Sequence, residues 1–497
     1  MSKTKRLVHQ LKNKDFNALH KSFVSAEAQK SADLLHYFRQ NKLTDEERKK
    51  SLSVSNNSFY TLRSRLNEKI EEYILHQVAN PQTQILKQVA GINEILFTKS
   101  RIIALASLKK LEKELKEYDL SNELTLVYRA LKRLNIHHPK YYEYSQLYNK
   151  HISYMMAVDK VEDNLADYFK RYSEYSLNYS QDDTFSFEIL IDEITNISSS
   201  YDSHRMYVYK SLSTLFHQLF VEPIDFLNFK TKVKIEEDFT ALENIFKSYK
   251  LDTTYLNLFW VVKYLKLLYY YQLDSDHKGI PKLLNDIFPH QDTLIANYGL
   301  FTFSGYYYNI KLTSYRKADK LDAIYIENKY AFDDLELNSK DKINFILYHA
   351  YVSIGCYYAD DFKEGLTHLK QALSKTSLVN HPQIQVDLKL LECLFFFKLN
   401  KTKELKATTN NIRRHIRLQG KSDSFYANEM LRIFNSVLSD IDAQKRKNKI
   451  IKYILSFNKS QRPLQSPIYS IRLSPIDFGV VCEDQLKTLT VFRTIIN

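Results

Sequence analysis

Residues that interrupt regular secondary structure are scarce in this chain. Its 497 residues include only 8 Gly and 9 Pro. A large β or α/β protein needs more glycines for its turns, so we expect helices joined by short polar turns. A loop that cradles phosphate groups with backbone N–H groups also needs glycines, and neither G-x-x-x-x-G-K-[ST] nor G-x-G-x-x-G occurs.

Cysteine and metal-binding patterns are equally rare. Cys356, Cys393 and Cys482 lie far apart, which argues against a disulfide framework and favours a reducing compartment. None of the 15 His residues stands in H-E-x-x-H or E-x-x-H, so the helical zinc and di-iron signatures are missing. We therefore expect no cofactor, no metal site and no catalytic residues, and we expect that the protein is not an enzyme.

Long apolar runs and targeting signals are also missing. The most apolar stretch, residues 256–271, contains Lys263 and Lys266, and it is too short and too charged to span a bilayer. The N-terminus is basic, but no apolar region follows it, so no signal peptide is indicated. These features predict a cytoplasmic protein that does not bind a membrane.

The clearest positive pattern is a pair of helices in residues 344–373. Their sequence is NFILYHAYVSIGCYYADDFKEGLTHLKQAL, with a tight turn predicted at Ala359, Asp360 and Asp361. Small side chains in both halves let two helix backbones approach each other. We expect Gly365 to lie at the crossing, where a side chain would not fit.

The second helix of this pair resembles the second half of a tetratricopeptide (TPR) repeat. The resemblance is carried by residues 361–366 (DFKEGL) and 371–373 (QAL). The first half departs from the pattern, with His349 in place of a bulky aromatic residue and Cys356 in place of a Tyr. TPR repeats run about 34 residues each and stack into solenoids. Apolar periodicity predicts further helix pairs along most of the chain, with weak self-similarity between them.

A second resemblance lies near the N-terminus. Residues 52–66, LSVSNNSFYTLRSRL, lead directly into helical hairpins. This segment resembles a family of uncharacterised bacterial all-helical proteins with a TPR-like body. The resemblance implies an all-helical fold and implies no activity.

The predicted fold class is all-α, a TPR-like α-solenoid of antiparallel helix pairs with a helical N-terminal block. We predict an N-terminal block over residues 1–79, a helical-repeat solenoid over residues 80–457 and a non-helical tail over residues 458–497. The tail holds three of the nine prolines and mixes β-branched residues with few charges. Two arrangements are open for it, a disordered tail and an extended segment along the solenoid, and untethered termini are the commoner case.

The charge of the chain is unevenly distributed. Residues 401–476 hold 16 Lys and Arg against 5 Asp and Glu, a net charge of +11. Six of these cations form two predicted helical stripes, which suit either phosphate groups or an acidic protein surface. The alternative is the ordinary solvated face of a terminal capping helix. The six are Lys406, Arg413 and Arg417 on one helix and Lys445, Lys449 and Lys452 on the last.

Residues 48–62 also have features of a helix-turn-helix. Their apolar residues fall where that motif has them, and a candidate recognition helix follows. Arg48 and Lys49 stand where apolar or small residues are usual, and Ser53 replaces the usual Gly of the turn. The polar residues available for nucleic-acid contact are Asn56, Asn57, Arg63 and Arg65.

Two functions from different classes follow from these patterns. The first is a non-enzymatic scaffold or adaptor whose concave face holds a peptide or helix of a protein partner. The second is a regulator that binds nucleic acid through the N-terminal segment and the basic C-terminal helices. We favour the scaffold, because the helix-turn-helix pattern is imperfect.

Overall fold

A computed structural model describes most of the chain. The described residues are 4, 7–8, 11, 13–40, 43–77, 81–178, 185–222, 229–249, 253–290, 304–331, 342–375, 378, 381–419, 425–439 and 442–480. Within these ranges the chain forms 22 α-helices and no strand, and 84% of the residues are helical. The predicted all-α class is confirmed.

The chain divides into two compact units, Met1–Ile152 and Ser153–Asn497. The predicted boundary between residues 79 and 80 lies outside the described residues, and the predicted boundary after residue 457 lies within the last helix. The helices of the first unit are α1 (Asn13–Ser25), α2 (Gln29–Gln40), α3 (Asp45–Leu52), α4 (Asn56–Gln77), α5 (Pro81–Ala90), α6 (Ile92–Thr98), α7 (Arg101–Glu117), α8 (Ser121–Leu134) and the first part of α9 (Lys140–Asn178).

The second unit contains the remainder of α9 and thirteen further described helices. Two 3₁₀ turns, Phe288–His290 and Pro475–Phe478, accompany them. The thirteen are α10 (Phe185–Ser199), α11 (His204–Phe220), α12 (Phe229–Ser248), α13 (Thr253–Leu273), α14 (Ile280–Ile287), α15 (Ser304–Lys317), α16 (Leu321–Ala331), α17 (Lys342–Tyr358), α18 (Phe362–Lys375), α19 (Pro382–Lys398), α20 (Thr402–Gln419), α21 (Phe425–Val437) and α22 (Ala443–Lys459).

Helix starts follow local sequence signals. Pro81 and Pro382 open α5 and α19, because a Pro in the first turn loses no intrahelical hydrogen bond. Thr44 caps α3, and Glu47 completes a capping box by accepting from the backbone N–H of Thr44 at 2.7 Å. Pro223 is a similar signal for a helix start in the sequence, but it lies outside the described residues.

Six connections between consecutive helices are only three residues long. Each has one non-Gly residue in the left-handed region, with φ between 51° and 59°. Every one of these turns is closed by a backbone hydrogen bond that spans five residues, such as Asp361 N–H to the Cys356 carbonyl at 2.9 Å. The six left-handed residues are Glu27, Ser53, Asp119, Asp319, Asp360 and Asn400.

The first unit has two separate apolar clusters. One joins α1 to α4 and includes Phe38 and Phe59, both fully buried. The other joins α5 to α8 and the start of α9, around Leu108 and Tyr128. Tyr128 donates to the buried carboxylate of Glu112 at 3.1 Å.

The second unit has one continuous apolar cluster. Its helices pack in consecutive pairs, and the closest pairs are α17 with α18, α19 with α20 and α21 with α22. The first helices of neighbouring pairs also touch, as α15 does with α17 and α19 with α21. Buried Tyr residues join these layers, since the Tyr172 hydroxyl lies 3.1 Å from that of Tyr306.

The pair α17 and α18 has the geometry predicted from its sequence. The turn lies at residues 359–361, and Ser353 donates to the Gly365 carbonyl at 2.9 Å across the pair. A Cβ on Gly365 would lie 2.5 Å from Cε1 of Phe395 and 3.1 Å from Cβ of Cys356. Gly365 therefore lies where α18 meets both α17 and α19.

Two helix boundaries differ from those that apolar periodicity predicts. The periodicity predicts separate helices over residues 140–155 and 158–175, but α9 runs unbroken through both because no Gly or Pro interrupts it. It also predicts one helix over residues 82–97, but Gly91 divides it into α5 and α6 with φ −80° and ψ 0°.

We expect Gly365→Ala to lower the free energy of unfolding of the protein by about 1–3 kcal/mol, because the new methyl group would overlap the Phe395 ring. Urea titration of the full chain would measure this. The matched test is the double variant with Phe395→Leu. In the Phe395→Leu background, Gly365→Ala should lower the free energy of unfolding much less, because the ring that it overlaps is gone. An unchanged free energy for Gly365→Ala would show that the Phe395 ring can move aside.

A buried histidine links the stability of the second unit to pH. The ring of His217 is 6% exposed, and its Nδ1 lies 2.9 Å from the Tyr168 hydroxyl. Burial lowers the pKa of His217 to about 4. The carboxylate of Glu222 is 3.6 Å from Nε2 but is half exposed, so it does not offset the burial.

The unfolded chain takes up a proton on His217 near pH 6.5, whereas the folded chain does so only near pH 4. The contribution to stability is therefore complete above pH 6.5 and is lost as the pH falls to about 4, by up to about 3 kcal/mol. His217→Gln should flatten this decline in denaturation curves measured at a series of pH values. Between pH 7 and 8 both proteins should show the same pH dependence, and identical curves at pH 4 to 6 would contradict the assignment.

Candidate functional site

The predicted helix-turn-helix segment is helical in both halves. It consists of α3, a turn at residues 53–55 and α4. Ser53 adopts φ 51°, so a left-handed Ser takes the place of the usual Gly. Both α3 and α4 pack against α2, and buried apolar residues of the three helices form a small shared core.

Arg48 and Lys49, which depart from the helix-turn-helix pattern, are largely buried in this core. The guanidinium of Arg48 lies 4.3 Å from the centre of the Phe38 ring and forms an ion pair with Asp45 at 2.7 Å. Lys49 forms an ion pair with Glu46 at 2.8 Å. Their aliphatic stems cover apolar surface, so these two cations are used within the fold.

The predicted contact residues of α4 differ in their surroundings. Arg63 lies 3.4 Å from the Asp45 carboxylate and 4.9 Å from the centre of the Tyr60 ring. Arg65 is exposed, as are Asn56 and Asn57 at the start of the helix. Only Arg65 of the two predicted arginines is therefore open to an external anion.

The six basic residues predicted as stripes lie on α20 and α22, which are the second helices of their pairs. Arg413 is half-buried and donates to the Asn410 side chain at 3.3 Å. α20 packs on α19 and α22 packs on α21, while α19 and α21 pack on each other. The other five basic residues are exposed and form no ion pair within the described part of the chain. They are Lys406, Arg417, Lys445, Lys449 and Lys452.

Residues 460–480, named here the C-terminal segment, make many contacts with the helices of the second unit. It is non-helical except for the 3₁₀ turn, as the sequence predicted. Its apolar residues Ile468 and Ile471 are fully buried, and Phe478 is 7% exposed. The segment lies against the helices as a series of turns rather than as an extended chain, with hydrogen bonds such as that from the Ser466 N–H to the Pro463 carbonyl at 2.9 Å. Residues 481–497 lie outside the described residues.

Side chains of α15 and of the end of α22 bind the main chain of this segment. Asn309 of α15 donates to the carbonyls of Leu464 at 2.7 Å and Ser466 at 3.0 Å. Asn458 of α22 donates to the Leu473 carbonyl at 2.8 Å and accepts from the Leu473 N–H at 3.0 Å. These hydrogen bonds are made to the backbone of the segment and not to its side chains.

A buried carboxylate adds a side-chain contact. Asp387 of α19 is fully buried and accepts from the Ser466 hydroxyl at 2.6 Å and from the Tyr426 hydroxyl at 3.0 Å. Such a carboxylate is costly to bury unless donors surround it. The segment therefore supplies a donor that the helix needs.

The far end of the segment is held by a ring contact and an ion pair. Phe478 stacks on Phe397 of α19 with the ring centres 5.1 Å apart. Asp477 lies 3.5 Å from the ammonium of Lys398. The sequence did not predict which helix residues hold this segment, referred to below as its seat. The one relevant signal was the run of β-branched residues and prolines in the tail.

The described residues offer little reactive chemistry. Burial raises the pKa of the Cys356 thiol to about 12, so it is protonated at neutral pH. Within the described ranges, no three His, Cys, Asp or Glu side chains converge in a way that could hold a metal ion. None of the described helices combines the length and the apolar character required to cross a bilayer.

Comparison of the chain with protein-family models, with curated proteins and with solved structures gave no match. The all-helical class thus rests on the structure, and the predicted resemblance to a family with a TPR-like repeat body has no support from these comparisons.

Proposed function

We propose that the protein is a non-enzymatic interaction scaffold that holds a non-helical segment of a protein partner on the first helices of its helix pairs. The observation that carries this proposal is the seat of the C-terminal segment. There, α15 binds two carbonyls of a chain that runs through successive turns, and α19 contacts side chains of the same segment. A partner peptide of similar conformation can use the same donors.

We also propose that α13 to α22 form a TPR-like array of five helix pairs. Each second helix packs on its own first helix, and α16 and α18 pack in addition on the first helix of the next pair. This arrangement is typical of stacked helical repeats, in which one layer of helices lines a continuous binding surface. The C-terminal segment contacts α13, α15, α19 and α21, the first helices of four of the pairs.

The segment and a partner peptide would compete for one surface, and this gives a direct test. Ser466→Ala with Phe478→Ala should weaken the chain's own segment while leaving the helices unchanged. We expect a labelled synthetic peptide of residues 460–480 to bind this variant at least tenfold more tightly than the unaltered protein, measured by fluorescence anisotropy. Adding Asn309→Ala should then reduce peptide affinity about tenfold, because two hydrogen bonds to carbonyls are lost.

A scrambled peptide of the same composition is the matched control. Because the backbone contacts do not depend on sequence, it should keep part of the affinity and lose the contributions of Ser466 and Phe478. The scaffold proposal fails if no peptide binds to the weakened variant, or if Asn309→Ala leaves the affinity unchanged.

Binding of nucleic acid is the second candidate, favoured by one observation. Lys406, Arg417 and the three lysines of α22 are exposed cations without carboxylate partners in the described part of the chain. Against it, Arg63 pairs with Asp45, and the first turn of α3 carries three acidic residues, whose charge disfavours phosphate groups nearby. The scaffold remains the stronger proposal.

Duplex DNA at several salt concentrations separates the two candidates. If the six basic residues of α20 and α22 contact phosphates, the logarithm of the binding constant should fall against log salt with a slope of about −5. If they only face solvent, binding should be weak at physiological salt, which is the result we expect. Reversing these charges should then change the free energy of unfolding by less than about 0.5 kcal/mol.

Arg65 and Arg63 provide a matched pair for the N-terminal segment. A sequence-specific motif should lose site preference with Arg65→Ala, whereas Arg63→Ala should act mainly by removing the pair with Asp45. One DNA sequence bound at least a hundredfold more tightly than random DNA would overturn the scaffold proposal.

A further inference from the structure

Three arginines converge on four consecutive carbonyls of the C-terminal segment, those of residues 468–471. Arg316 of α15 donates to the carbonyl of Ser470. Arg472 donates to the carbonyls of Tyr469 and Ile471, at 3.1 and 3.0 Å. Arg462 donates to the carbonyl of Ile468 at 2.9 Å and to that of Ile471 at 2.7 Å. Two of the three cations therefore share one carbonyl oxygen, and the third bonds the carbonyl of the adjacent residue.

No carboxylate among the described residues lies within ion-pair distance of these three guanidinium groups. Peptide carbonyls carry only partial charge, so they leave most of the mutual repulsion in place. This repulsion acts on the pKa of Arg462, which is 8% exposed. Burial, followed by the charges of Arg472 and Arg316, lowers the pKa of Arg462 to about 9.

The cluster also contains donors that lack an acceptor. Nη2 of Arg462 is buried and has no hydrogen-bond partner among the described residues. The hydroxyl of Ser470, which is 2% exposed, also has no hydrogen-bond partner among the described residues. Buried polar groups are normally paired, and a charged group left unpaired costs more than a neutral one. Arg316 and Arg472 are half-buried, so the cluster can be reached from solvent.

We propose that Arg316, Arg462 and Arg472 form a binding site for a phosphate group, either inorganic phosphate or the phosphate of a small organic ester. A dianionic phosphate offers several acceptor oxygens to the guanidinium forks, and its charge offsets the cluster better than a single carboxylate would. Because the site includes both α15 and the C-terminal segment, the bound anion stabilises the segment in its seat. Phosphate binding would therefore oppose the binding of a partner peptide to the same surface, but it can be tested without any peptide.

The experiment is a titration of the full chain with inorganic phosphate, glycerol 2-phosphate and acetate at constant ionic strength, followed by calorimetry and thermal unfolding. We expect saturable binding of both phosphates, no saturable binding of acetate, and a rise in Tm of at least about 3 °C at saturation. Tighter binding of glycerol 2-phosphate would identify an organic ester as the ligand, and equal binding would identify free phosphate.

Three variants locate the site. Arg472→Gln should weaken phosphate binding at least tenfold, and Arg472→Lys should have an intermediate effect because it keeps the charge but loses the fork. The control, Arg414→Gln at an exposed position of α20, should stay within twofold of the unaltered protein. Circular dichroism of each variant verifies that its helices are intact.

Two results would overturn the proposal. One is equal phosphate affinity in Arg472→Gln and in the unaltered protein, which would put the binding elsewhere. The other is phosphate binding only after Glu483→Gln combined with Asp484→Asn, which would mean that the chain's own carboxylates neutralise the cluster.

Discussion

The tight turn between consecutive helices is the constraint from which much of this structure follows. A three-residue connection reverses the chain only if one residue enters the left-handed region, where a side chain costs about 1–2 kcal/mol. Asp, Asn, Ser and Glu occupy these positions in the six described turns, and backbone hydrogen bonds close each turn. Because the turn determines where the second helix begins, it also determines which residues meet, as Gly365 and Phe395 do.

The C-terminal segment shows what the first helices can hold. Its carbonyls are bound by Asn309 and Arg316, its Ser466 satisfies a buried carboxylate, and its Phe478 fills an apolar site on α19. Hydrogen bonds to the backbone tolerate variation in the bound sequence. Asp387 and the apolar site of Phe478 favour a hydroxyl and an aromatic ring at two positions of that sequence. The same combination is needed by a surface that selects one peptide among many.

Local order was predictable from the sequence because it depends on neighbours along the chain. The Thr44–Glu47 capping box, the start of α19 at Pro382 and the turn at Asp360 all follow from residues within one or two turns. The unbroken course of α9 was not predicted, although residues 140–178 contain no Gly or Pro that would break a helix. The seat of the C-terminal segment was beyond prediction, because Asn309 and Leu464 are 155 residues apart and neither carries a motif.

That separation has a consequence for how the protein is made. The hydroxyls of Tyr271 and Tyr469 meet across 198 residues, so this contact forms only after residue 469 has left the ribosome. Until then, Asp387 lacks the Ser466 hydroxyl and the apolar site for Phe478 is open to water. A chain synthesised only as far as α22 leaves this strip of the first helices exposed, which gives proteases and chaperones a surface to recognise.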